Sequence, residues 1–120
     1  MKISTFIRKI MDNEDYKLKK SLSYNNYSLF KNKENKIDED IFLEFIKKMQ
    51  DDDALITIYR DISSLLLIKA NITDKIFNEL LDMSKKEKFS WNFVYLCHAD
   101  LFESQQKILK NLGLNDAYFY

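Results

Sequence analysis

The stretch Leu55–Ala70, LITIYRDISSLLLIKA, is the longest in the chain with apolar residues at helical spacing. Leu55, Ile58, Tyr59, Ile62, Leu65 and Leu66 follow i, i+3, i+4, i+7, so one face of a helix is continuously apolar. Past Ser64 the run LLLI leaves almost no polar face. The spacing predicts a central buried helix covered on more than one side, with Asn71 closing it in the left-handed conformation.

The rest of the chain repeats the pattern. Ile3, Phe6, Ile7, Ile10 and Met11 form an opening stripe. Tyr24, Tyr27 and Phe30 suit a short helix between residues 16 and 36, followed by an Asn/Lys/Ser-rich loop. Asp38 reads as the N-cap of a helix carrying Ile41, Phe42, Phe45, Ile46 and Met49, with Ile37 and Phe42 as its hydrophobic staple. Thr73 and the pair Ile72/Phe77 do the same for Ile76, Phe77, Leu80 and Leu81. A further helix is expected from Phe89-Ser90, with Trp91, Val94, Tyr95, His98, Leu101 and Phe102 as its buried stripe. The last carries Ile108, Leu109 and Leu112 and stops at Gly113, where Leu114 packs back on Leu109.

With one Gly and no Pro in 120 residues, the usual punctuation of turns and sheets is missing. An all-β chain is thereby disfavoured, and one all-α domain over residues 1–120 is expected, with six or seven helices. Phe6-Ile7/Ile10-Met11, Ile41-Phe42/Phe45-Ile46 and Ile76-Phe77/Leu80-Leu81 recur at offsets of 35, and Ile108-Leu109/Leu112 follows at 32. Tyr24, Tyr59 and Tyr95 align similarly, as do Phe30, Leu65 and Leu101. Two helices per unit at this period predict a short right-handed helical-hairpin solenoid.

Charge is neutral overall, 19 against 19, but segregated. Residues 1–37 hold nine Lys/Arg and four Asp/Glu, residues 38–82 five and eleven, residues 83–120 five and four. An acidic middle argues against nucleic-acid binding, which needs a broad basic face, and with two Arg in total base readout is not expected. It suits a cationic protein partner, with Asp38, Glu39, Asp40, Glu44, Asp51, Asp52, Asp53 and Asp61 as candidate contacts. At least one of Asp51, Asp52 and Asp53 is expected to cap a helix, and consecutive carboxylates lack the alternation of a calcium loop. Tyr118, Phe119 and Tyr120 follow the last cap, and Tyr118 and Tyr120 are candidate interface anchors, with a tail folded over the last hairpin as the alternative.

The only Cys and the only His are adjacent, Cys97 and His98. Neighbouring positions on a helix diverge by about 100°, so the pair cannot form a nucleophile and its base. One His and one Cys do not make a zinc site without several carboxylates. His98 reads as a core or boundary residue, no cofactor or metal is expected, and no enzymatic activity. A single Cys points to a reducing compartment, and no run is long enough to span a bilayer, so a cytoplasmic protein with no membrane partner is expected.

Residues 37–66 and 72–102 resemble degenerate HEAT-type repeats, without the Pro and the Asp/Arg ladder of well-formed ones and without the Gly and Ala pattern of tetratricopeptides. The whole, small, Lys/Asn-rich and helical with an acidic middle, resembles bacterial immunity proteins of contact-dependent growth inhibition systems. The likeness lies in size and style, and transfers no residue roles. It implies a non-enzymatic protein that neutralises a cognate toxin, often a nuclease. A helical adaptor binding a peptide or protein is the competing class.

Overall fold

The computed structural model describes residues 3–12, 38–66 and 72–112. Among them the chain is all-α, with six α-helices, one 3-10 turn and no strand: α1 (Ile3–Asp12), α2 (Glu39–Met49), α3 (Asp53–Leu66), α4 (Asp74–Ser84), the 3-10 turn Glu87–Phe89, α5 (Asn92–His98) and α6 (Glu103–Asn111). The helix expected within 16–36, the staple residue Ile37, Asn71, the Gly113/Leu114 stop and the Tyr118–Tyr120 tail lie outside the described residues. So do the side chains of Ile3, Phe6 and residues 61–66.

The chain divides into two compact units, Met1–Leu66 and Leu67–Tyr120. In the first, α1 packs on α2 and α2 on α3. The stripes meet: Ile7 and Ile10 from α1, Phe42, Phe45, Ile46 and Met49 from α2, and Leu55, Ile58 and Tyr59 from α3 are all buried. Phe45 stands between two other rings, 6.1 Å from Phe42 and 6.5 Å from Tyr59 between centroids. Both are within the range where ring pairs add to simple area burial.

Local chemistry sets the helix starts. Asp38 is the N-cap of α2, its carboxylate accepting from the Ile41 amide at 3.1 Å. The Asp38 amide in turn donates to Ser4 Oγ at 2.8 Å, which ties the cap to α1. Asp52 Oδ1 accepts from the Ala54 and Leu55 amides at 3.0 and 3.3 Å, so of the three consecutive aspartates it is Asp52 that caps α3. These bonds satisfy amide groups that have no partner inside their own helix.

In the second unit α4 packs on the 3-10 turn and on α5. Thr73 caps α4, as its pattern predicts, with Ile72 and Phe77 both buried. Helices α2 and α4 have the same length and lie 35 residues apart from cap to end, as the repeat predicts. The second helices do not share a face. The expected stripe of α5 is corrected: Val94 is 41% and Phe102 46% exposed, His98 is exposed, and Trp91 and Tyr95 are half-buried. Two causes combine. α5 ends at His98 and Ala99 is extended (ψ 152°), so Leu101 and Phe102 are off the helix. A polar anchor also turns α5 inward by a different edge: buried Asn92 donates to Ser84 Oγ at 2.9 Å, and Ser84 Oγ donates to the Leu80 carbonyl at 2.7 Å. The buried edge is therefore Phe89, Asn92 and Leu96, with Cys97 beside it. The last helix is corrected likewise: Leu109 is buried, while Ile108 and Leu112 are 41% and 48% exposed.

Candidate interaction surfaces

Most of the candidate acidic residues of the first unit fall at helix ends, with Glu44 and Asp61 inside α2 and α3. Asp38, Glu39 and Asp40 occupy the start of α2, where carboxylates complement the helix dipole. Asp51, Asp52 and Asp53 form the turn from α2 into α3. The two groups are separated by the length of an eleven-residue helix, about 16 Å at 1.5 Å per residue. The acidic stretch is thus two clusters rather than one continuous patch.

Its members differ in what they touch. Glu44, midway along α2, is bridged by Arg8 of α1 at 3.0 Å and by Lys48 at 3.4 Å. Desolvation acts to raise its pKa, but the hydrogen bonds and charges of Arg8 and Lys48 together outweigh it and hold the carboxyl below the ordinary glutamate value. Glu44 therefore joins two helices of its own unit. Asp38 and Asp52 are held as caps. Asp40, Asp51 and Asp53 are exposed and Glu39 partly so. The Asp61 side chain, Tyr118 and Tyr120 lie outside the described residues.

Cys97 is 7% exposed, and burial pushes its thiol pKa up, away from the thiolate that nucleophilic chemistry needs. His98 is exposed instead of sitting in the core. Its Nδ1 lies 2.8 Å from the Val94 carbonyl. A carbonyl only accepts, so Nδ1 carries the proton and Nε2 is the nitrogen left for other partners. Among the described residues no group of three His, Cys, Asp or Glu could hold a metal ion. No helix among them is long and apolar enough to cross a membrane.

Three buried polar residues had no place in the stripe pattern: Ser84, Asn92 and Gln105. Gln105 Nε2 donates to the Ile72 carbonyl at 2.9 Å and to Asp74 Oδ1 at 3.1 Å, while its Oε1 accepts from the Phe102 amide at 3.1 Å. One side chain thus starts α6 and fastens it to the start of α4. The sequence offers no clear signal for it: the residue three positions earlier is Phe102, which has no side-chain oxygen to announce an N-cap.

The second unit leaves some large apolar side chains outward among its charged ones. Among the described residues the exposed large apolar side chains are Val94, Phe102, Ile108 and Leu112, all in this unit. Trp91 lies edge-on to Phe89 at 6.2 Å and to Tyr95 at 5.4 Å, and its indole N–H donates to the Lys88 carbonyl at 3.0 Å.

Among the described residues the chain is all-α, its exposed large apolar side chains fall in the second unit, and exposed carboxylates occur on both units. No protein-family model matches this chain, and no curated protein or solved structure does.

Proposed function

We propose that this chain is a non-enzymatic binding protein that neutralises a cationic protein partner, in its most specific form an immunity protein that holds a bacterial toxin, such as a nuclease, inactive. One observation carries the reading: exposed Asp40, Asp51 and Asp53 are mounted at the ends of helices whose caps and core are already made by other residues. Carboxylates held on a rigid scaffold steer and orient a basic partner. Where a nuclease holds phosphate its surface is cationic, so an acidic protein can occupy or screen it.

The test uses Asp40→Asn/Asp51→Asn/Asp53→Asn, which removes three charges and leaves Asp38 and Asp52 in place. The partner is first isolated by affinity capture from the cell of origin and identified by mass spectrometry. A basic toxin domain is expected, and the variant should associate with it more slowly at low salt and protect less against its activity. Association that is unchanged and insensitive to salt would remove the acidic surface from the mechanism. A second reading, an adaptor for a peptide, is favoured by the exposed apolar groups of the second unit.

A further inference from the structure

The outer face of α5 holds the side chains that the sequence pattern assigns to a core. Trp91, Val94, Tyr95 and His98 stand at i, i+3, i+4 and i+7, so they form one face, and they are half-buried or exposed. The face is fixed before any partner arrives. Trp91 is held by two edge-to-face contacts and by the bond from its N–H to the Lys88 carbonyl. With the N–H engaged, what the indole presents outward is carbon. The His98 ring is tied through Nδ1 to the Val94 carbonyl. Such preorganised aromatic side chains are what interface hot spots are made of.

A cationic turn borders the same face. Lys85, Lys86 and Lys88 are exposed within four residues. Lys88 Nζ lies 5.5 Å from the centre of the Phe89 ring, itself in contact with Trp91, which places the turn at the Trp91 end of the face. Three Lys stand against Glu87 and Asp82, the latter 3.9 Å from Lys85 Nζ, which leaves this border a small net positive charge, opposite to the exposed carboxylates of the first unit.

We propose that the outer face of α5 and the Lys85–Lys88 turn dock a peptide segment of a partner protein that carries an apolar anchor flanked by carboxylates. The anchor packs on Trp91, Val94 and Tyr95, and the carboxylates meet the lysines. The argument is charge complementarity joined to a rigid aromatic surface, and it stands apart from the cationic partner proposed for the first unit. A nucleic acid is the less favoured occupant because no Arg lies between residues 72 and 112 to stack on or fork to it.

Trp91 is the only tryptophan, so its emission reports this face directly. The full chain is titrated with a short synthetic peptide bearing Leu and Phe at helical spacing among glutamates, and with the same peptide carrying lysine at every glutamate. The acidic peptide should shift the emission to shorter wavelength and saturate, and more tightly at low salt than at high. Tyr95→Ala should weaken it about tenfold or more, the loss typical of an anchor residue. Lys85→Glu/Lys86→Glu/Lys88→Glu should abolish it, with helicity by circular dichroism unchanged. Ile108→Asp/Leu112→Asp, on the neighbouring helix, should leave it intact. The proposal is overturned if neither peptide shifts the emission, if both do so equally, or if single-stranded oligonucleotide binds in place of the acidic peptide. An emission shift that follows protein concentration alone would assign the face to a second copy of the chain and equally overturn it.

Discussion

Gln105 makes three hydrogen bonds from one buried side chain, two given and one received. Gln105→Ala strands the Ile72 carbonyl and the Phe102 amide, and losses of this kind cost about 1–3 kcal/mol. Urea denaturation should show the midpoint fall by that equivalent, and an unmoved midpoint would mean that water replaces the amide without loss. Phe45→Ala removes the middle ring of three in the first unit and should cost about 3–5 kcal/mol. Val94→Ala, at an outward position, should stay within about 0.5 kcal/mol. At this scale the sequence was legible where burial and hydrophobicity agree, as at Phe42, Phe45, Ile76 and Leu80. It misled at Asn92. A pattern reading places apolar residues inside, so it gave the core face of α5 to Trp91, Val94 and Tyr95. The pairing of Asn92 with Ser84 is eight residues distant, and no periodicity announces it.

Helix starts were more legible than helix faces, because a cap and the amides that it satisfies lie within three residues of each other. Asp38 and Thr73 occupy the expected positions. Three consecutive aspartates left open which one caps α3, and the geometry selects Asp52. Asp52→Ala should therefore destabilise by about 0.5–2 kcal/mol. Asp51→Ala, one residue earlier, should stay within about 0.5 kcal/mol. Equal effects in thermal denaturation would contradict the assignment. The end of α5 was not legible. A helix end announced by neither Gly nor Pro gives no compositional warning, and the extended Ala99 carries Leu101 and Phe102 away from the stripe they continue in sequence. Of the candidate site, the acidic residues could be named from the sequence. Their separation into two helix ends and the engagement of Glu44 follow from the fold.

Across the whole chain, opposite charges segregated in sequence partly meet in space. Arg8, from the basic N-terminal part, crosses to Glu44 in the acidic middle. Because Glu44 is held below its ordinary pKa, its contribution is present above the unfolded-state value, near 4.5, and is lost as pH falls through the lower folded value. The unfolding midpoints of the parent and of Glu44→Gln should differ at neutral pH and converge only once pH has fallen past the lowered folded value, beneath 4.5, where both carry an uncharged side chain. A difference that persists unchanged into strong acid would assign the effect to packing instead of charge.

The buried thiol of Cys97 has a kinetic consequence. It is the chain's single sulfhydryl, and at 7% exposure it should meet an alkylating reagent chiefly when the second unit opens. Labelling by iodoacetamide under native conditions is then a clock for that opening, and the ratio of its rate to that of an unstructured cysteine peptide gives the opening equilibrium. The first unit, residues 1–66, holds no cysteine and leaves no mark on this clock. Substitutions at Phe45 or Asp52 should leave the labelling rate alone if the units open separately and speed it if they open as one, so a single residue times the cooperativity of the chain.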